Sequence, residues 1–91
     1  MIRSFRHRGL ARYFNDADPG GIAPDLADRI RRRLQALHVA SRPQDLNVLG
    51  FDFHALRGKP KRYSVHINGP WCITFEWIDG DAYRVDLEQY H

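Results

Sequence analysis

The second half of the chain alternates between apolar and polar residues in three short runs. The apolar members are Tyr63, Val65 and Ile67, then Trp71, Ile73, Phe75 and Trp77, and then Tyr83, Val85 and Leu87. The residues between the runs, 68–70 and 79–80, have the composition of compact hairpin turns. A period of two is typical of strands that bury one face. The pattern predicts an antiparallel meander with one apolar face and one open polar face, extended by a shorter strand around 51–56.

Before the strands, the apolar residues follow the helical period. The clearest helix is predicted from Pro24 to Val39, and its apolar stripe consists of Leu26, Ile30, Leu34 and Leu37. A short helix over 9–14 and a short strand over 2–6 are also expected. Helices beside a small, mainly antiparallel sheet predict an α+β fold, a single domain over residues 1–91 with two helices packed on the apolar face of the sheet.

The net charge of +3 is unevenly distributed. Cations cluster without acids in 1–12, 29–33 and 57–62, which favours a surface for nucleic acid or the ribosome. In the long helix, most arginines are expected to form a solvated face that could also meet a protein partner. Arg33 lies beside the apolar stripe, and we expect it to reach over the edge of the core into solvent.

The composition also excludes several classes of protein. The single cysteine, Cys72, cannot form an internal disulfide, and no group of His, Cys, Asp and Glu has the spacing of a metal site. No apolar run follows the basic N-terminal residues, and none is long enough to span a bilayer. The sequence therefore predicts a cytoplasmic protein that uses no metal or other cofactor.

Two histidines and a basic loop are the candidates for chemistry. Cleavage of RNA by its own 2′-hydroxyl needs a base for the 2′ proton, cations for the phosphate and an acid for the leaving 5′ oxygen. Imidazole suits both proton roles, and a tyrosine ring can stack on an unpaired base. The candidate catalytic residues are His54, Tyr90 and His91, and the candidate phosphate-binding residues are Arg57, Lys59, Lys61 and Arg62. The other histidines, His7, His38 and His66, are expected to be packing residues.

Several fragments, in their order along the chain, resemble a known family. They are residues 2–10, 53–58, 71–75 and 79–83 together with the closing pair Tyr90-His91. The chain resembles HigB-type toxins of bacterial type II toxin–antitoxin modules, a branch of the RelE/ParE superfamily. The resemblance implies a RelE-like fold and a metal-independent endoribonuclease that cuts mRNA on the ribosome. It also implies a helix-turn-helix antitoxin of the HigA type as partner, and contact with operator DNA only through the antitoxin complex.

The chain departs from the family pattern at two positions. Gln89 stands where members often have Asp, and Cys72 stands where Arg is common. We expect the terminal carboxylate of His91 to replace part of the lost acid, and the basic loop to compensate for the lost cation. Two alternatives to RNA cleavage stay open, namely a toxin that only binds its target and a co-repressor that acts with the antitoxin.

Overall fold

A computed structural model describes residues 1–89, and Tyr90 and His91 lie outside the described residues. Single 3₁₀ turns at Pro19–Gly21 and Pro43–Leu46 follow the two helices. The helices and strands are α1 (Arg8–Asp16), α2 (Ala27–Val39), β1 (His54–Ala55), β2 (Arg62–Asn68), β3 (Trp71–Ile78) and β4 (Asp81–Gln89). The predicted α+β fold with two helices on a small antiparallel sheet is confirmed.

The two helices begin for different local reasons. Helix α1 begins at Arg8, because Nδ1 of His7 accepts a hydrogen bond (3.1 Å) from the otherwise unpaired N–H of Leu10. Helix α2 begins at Ala27, three residues after the predicted start at Pro24. The amide of Ala27 bonds to the carbonyl of Pro24, three residues back, so this segment forms a tighter turn before the α-helix.

The core lies between α2 and the apolar face of the sheet. The predicted stripe of α2 is buried, and the residues opposite it on the strands are Val65, Ile73, Phe75 and Val85. Phe75 is completely buried. The centre of its ring lies 5.7 Å from the centre of the Tyr63 ring and 6.4 Å from that of the Trp77 ring. Burial of each such side chain contributes about 1.5–3 kcal/mol, so this interface supplies much of the stability.

The sheet is an antiparallel meander in the order β1-β2-β3-β4, as predicted. Its register places four polar residues in one row across the strands: His54, Ser64, Thr74 and Asp86. Residues that pair directly share a face of the sheet. The row therefore lies on the face away from the helices.

The phase of β4 differs from the sequence prediction at Tyr83. We expected Tyr83 on the apolar face, but it pairs with Glu76 on the polar face, while the completely buried Ala82 pairs with Trp77. The register shifts in the next positions, where Arg84 has a φ of 50°. When a strand contains one extra residue, the residues before it and after it alternate in opposite phase between the two faces of the sheet. An alternating sequence pattern does not show where such a residue lies.

The polar face is not open along β3, contrary to the prediction. Cys72, Thr74 and Glu76 are 9%, 0% and 7% exposed. One ion pair joins Arg84 to Glu76, and a second joins Arg62 on β2 to Glu88 on β4, each at 2.9 Å. By the strand register, the line between positions 62 and 88 passes over Thr74. Long charged side chains therefore cover the middle of this face.

The N-terminal residues lie along β4 but do not form the predicted strand. Ile2 and Phe5 make isolated parallel bridges to Ala82 and Val85. Asp81 binds the amino group of Met1 and the guanidinium of Arg3, each at 2.9 Å. No helix within residues 1–89 is both long enough and apolar enough to cross a membrane.

Candidate active site

A cleft of about 450 Å³ opens on the polar face beside β1. Strands β1, β2 and β3 and the segments that flank β1 contribute its lining: Asp52, His54, Ala55, Leu56, Arg57, Ser64, His66 and Cys72. Of the seven predicted site residues, His54 and Arg57 come together here. The cleft therefore combines an imidazole with a guanidinium within reach of solvent.

His54 lies on the edge strand of the sheet. It pairs with Ser64, so it faces away from the helices, and its side chain is 63% exposed. Its Nε2 lies 3.1 Å from Oδ1 of Asp52, which is 68% exposed. An exposed pair of this kind adds little to the stability of the fold, but it can orient the imidazole.

Asp52 is a site residue that the sequence reasoning missed. Its φ of 45° places it in the left-handed region just before β1. The spacing of Asp52 and His54 could not show that their side chains meet, because the rule that residues two apart share a face holds only for an extended chain.

His66 also lines the cleft and is half-buried, and its expected role as a packing residue stays a prediction. Its Nε2 lies 2.9 Å from the carbonyl oxygen of Gly69. A carbonyl accepts and cannot donate, so this nitrogen carries a hydrogen. The alternating pattern already put His66 on the polar face, but the pattern could not show that a cleft forms there.

The floor of the cleft contains a buried thiol. Burial raises the pKa of Cys72, and the charges of Asp52 and Glu88 raise this pKa further. The thiol therefore stays protonated at neutral pH and is a poor nucleophile. Cys72 places no positive charge in the cleft.

The other predicted phosphate-binding residues do not line the cleft. Lys59 and Lys61 are exposed in the loop between β1 and β2, and Arg62 begins β2 with its guanidinium bound to Glu88. The predicted site residues Tyr90 and His91 lie outside the described residues.

Arg33 is buried, contrary to the expectation that it reaches solvent. It is 8% exposed and donates to the carbonyls of His66 (2.6 Å), Arg29 (3.1 Å) and Gly50 (3.2 Å). Its guanidinium also lies 4.6 Å from the centre of the Phe51 ring. The carbonyls of His66, near the end of β2, and of Gly50, before β1, accept charge-assisted hydrogen bonds from this guanidinium and so stabilise it inside the protein. Arg33 therefore connects α2 to both segments.

Comparison with known proteins now identifies the family. The model of the RelE-like HigB toxin of type II toxin–antitoxin systems matches residues 3–91. The chain belongs to the HigB-like toxin family. As a toxin of a type II system, it has an antitoxin as partner.

Two relatives match the chain over almost its full length. It is 39% identical to Endoribonuclease HigB of Proteus vulgaris over 92 residues, covering all of both chains. It is 26% identical to Toxin HigB-1 of Vibrio cholerae serotype O1 over 93 residues, covering 99% of this chain and 98% of the relative.

The site of this HigB-like toxin contains no cluster suited to a metal ion in its described part. Within residues 1–89, no three His, Cys, Asp or Glu side chains lie close enough together to hold one. The described residues that line the cleft provide two imidazoles, a guanidinium, a carboxylate, a hydroxyl and a thiol.

Proposed function

We propose that this HigB-like toxin is an endoribonuclease that cuts mRNA on the ribosome and so inhibits translation. The observation that carries the proposal is the cleft on the polar face that is lined by both His54 and Arg57. The name of the Proteus vulgaris relative, Endoribonuclease HigB, supports the same activity.

In the proposed reaction the 2′-hydroxyl of the RNA is the nucleophile. His54 takes the 2′ proton, and His91, assisted by Tyr90, gives a proton to the leaving 5′ oxygen. Arg57 and the lysines of the β1–β2 loop stabilise charge on the phosphate. Arg62 completes this basic group but already binds Glu88, so its guanidinium reaches the phosphate only after changing partner.

The ribosome enters the proposal because the cationic surface around the cleft is small. Binding of free RNA depends on the number of phosphates that a protein neutralises. The loop offers Arg57, Lys59 and Lys61, which is too few to hold a long strand in register. We therefore expect slow cleavage of naked RNA and rapid cleavage of mRNA that a ribosome presents.

The test is to map new 5′ ends in mRNA after the toxin is added to a purified translation system. The parent protein should produce cuts inside the reading frame when ribosomes are present. His54→Ala should abolish the cuts without unfolding the protein, because His54 is largely exposed. Arg32→Ala is a control on the helical layer, which consists of α1 and α2. Cuts that persist in His54→Ala would refute the assigned base, and a parent that makes no cuts would refute the activity.

For the antitoxin, we propose a helix-turn-helix protein of the HigA type that docks on the helical layer. Arg29, Arg31 and Arg32 are exposed on α2, on the other side of the sheet from the cleft. Asp28 binds Arg31 and Arg32 at 2.7 and 2.8 Å, so acidic partner residues would compete with it. Operator DNA is then contacted through the antitoxin in a cytoplasmic complex. Antitoxin residues that fill the cleft beside His54 in a structure of the complex would contradict this arrangement.

A second candidate is a toxin that occupies its target without cutting RNA. The neutral thiol of Cys72 favours this possibility, because Cys72 supplies no positive charge to meet the phosphate. Inhibition of translation in the same purified system, with every mRNA intact, would identify it.

A further inference from the structure

We propose that Asp52 is a positioning residue that holds the imidazole of His54 with its hydrogen on Nε2 and its lone pair on Nδ1. The inference rests on the proposed function, because it states how His54 is prepared to accept the 2′ proton. Its starting observation is the 3.1 Å distance between Oδ1 of Asp52 and Nε2 of His54. That distance is within hydrogen-bonding range for nitrogen and oxygen.

The contact selects one form of the ring. An ionised carboxylate only accepts hydrogen bonds, so it favours a hydrogen on the nitrogen that it faces. A neutral imidazole has one ring hydrogen, so Nδ1 is left as the base. Fixing the tautomer and the ring orientation before RNA binds removes a reorganisation step from the reaction.

Hydrogen bonds on either side of Asp52 fix its backbone and so restrict the position of its carboxylate. Its φ of 45° is one that aspartate and asparagine adopt more readily than most residues. The carbonyl of Phe51 accepts from the amide of His66 (2.6 Å), and the carbonyl of Gly50 accepts from Arg33 (3.2 Å). Strand β1 begins two residues after Asp52, at His54. Both sides of Asp52 are therefore anchored to the rest of the fold.

The surroundings leave Asp52 without a competing acid. Of the described residues that line the cleft, Asp52 alone has a carboxylate. The other titratable groups there are Arg57 after β1, His66 on β2 and Cys72 on β3. A cation and a neutral thiol cannot replace a carboxylate as the acceptor of the His54 hydrogen.

The proposed step keeps its atoms and charges in balance. The 2′ oxygen forms a bond to phosphorus as the bond from phosphorus to O5′ breaks. The 2′ proton passes to Nδ1 of His54, and a general acid gives O5′ its proton. The products are a 2′,3′-cyclic phosphate and a 5′-hydroxyl. Asp52 touches none of the reacting atoms and stabilises the imidazolium that forms.

The first experiment compares Asp52→Asn with the full-length parent in single-turnover cleavage of mRNA on ribosomes. Asparagine has the same shape and tolerates the same φ, so the change removes only the charge. The rate constant at saturating toxin should fall about tenfold, which corresponds to a loss of about 1.4 kcal/mol of transition-state stabilisation. The half-saturating concentration should change less than about twofold, because Asp52 does not touch RNA.

Two further variants test whether the charge at position 52 causes this change in rate. Asp52→Glu keeps the charge and should recover part of the rate, and Asp25→Asn makes the same chemical change on the helical layer and should behave as the parent. A carboxylate that merely repelled RNA would give the opposite result. Its removal would lower the half-saturating concentration and leave the rate constant unchanged or higher, which would overturn the proposal.

The second experiment reads the ring directly by ¹⁵N nuclear magnetic resonance of the histidine side chains, at a pH where they are neutral. In the parent, the Nε2 signal of His54 should be that of a protonated nitrogen and the Nδ1 signal that of an unprotonated one. In Asp52→Gly, which keeps the positive φ, the two signals should converge as tautomers exchange. The signals of His66, whose Nε2 faces the Gly69 carbonyl, should stay in place.

The outcomes separate this proposal from the proposed function. Unchanged His54 signals in Asp52→Gly, or equal cleavage by the parent and Asp52→Asn, overturn the role of Asp52 while the endoribonuclease stands. A parent that cuts no RNA overturns both.

Discussion

The two faces of β3 are buried to almost the same extent by different means. Ile73 and Phe75 are completely buried against the helical layer. Thr74 and Glu76, on the other face, are 0% and 7% exposed, and ion pairs lie over them. Burial of an apolar side chain stabilises the fold by itself, whereas a buried polar group must find a hydrogen-bond partner in the protein to replace the water that it loses. The apolar face therefore stabilises the fold directly, whereas each buried polar group on the other face depends on its partner.

The largest effect is expected on the apolar face. Phe75→Ala should lower the free energy of unfolding by about 3–5 kcal/mol, because it leaves a cavity in the core. Urea unfolding followed by circular dichroism measures the change. Leu49→Ala is the control, because Leu49 is fully exposed, and its effect should stay within about 0.5 kcal/mol. A Phe75→Ala protein as stable as the parent would show that this face is not the stabilising one.

The second effect concerns the buried cation that joins the two layers. Arg33→Met should lower the free energy of unfolding by about 2–3 kcal/mol, because backbone carbonyls at Gly50 and His66 lose their donor. Arg32→Met, which breaks an exposed ion pair, should cost less than about 1 kcal/mol. Equal effects of the two changes, in the same urea experiment, would mean that Arg33 is no more than a surface residue.

The contrast between the faces also explains what the sequence could predict. The apolar face follows from periodicity, so the α2 stripe and the strands β2 and β3 were predicted correctly. Tyr83 was placed on the wrong face because a single extra residue near Arg84 changes the phase. The prediction that Arg33 reaches solvent is wrong because its partners are backbone carbonyls, and their positions cannot be predicted from the pattern of side chains.

The site was predictable only in part. His54 and Arg57 could be selected because their residue types suit the chemistry and the strand phase was correct. Asp52 and His66 join them through a left-handed backbone turn and through pairing between strands, and neither is visible in a local pattern. The catalytic and phosphate-binding roles, including those of Tyr90 and His91, stay predictions.

A third effect is expected in the opposite direction, on the polar face. Within the described chain, the buried hydroxyl of Thr74 has no hydrogen-bond partner. Thr74→Val replaces it by a methyl group of similar size and should raise the free energy of unfolding by about 1 kcal/mol. Thr74→Ser keeps the hydroxyl and loses the methyl, so it should be less stable than the parent. Destabilisation by valine would show that the hydroxyl has a partner after all.

The smallest effect should come from the exposed ion pairs at the N-terminal end. Hydrogen bonds from the amino terminus and Arg3 lower the pKa of Asp81 from its usual value of 3.8. A carboxyl with a lowered folded-state pKa stabilises the fold above its unfolded-state pKa, and this stability is lost as the pH falls through the folded-state pKa. Between pH 7 and pH 3, Asp81→Asn should therefore lose less stability than the parent, with Arg3→Gln in between. Identical losses in all three proteins would remove Asp81 from the acid response.

The bridges between the N-terminal residues and β4 have a consequence for how the toxin folds. The amide of Ala82 donates to the carbonyl of Met1 (2.9 Å), and that of Val85 donates to the carbonyl of Ser4 (3.1 Å). These contacts close a loop of nearly the whole chain, and closing long loops is slow. The N-terminal residues cannot take their places until β4 has formed, so we expect this edge of the sheet to be completed late in folding.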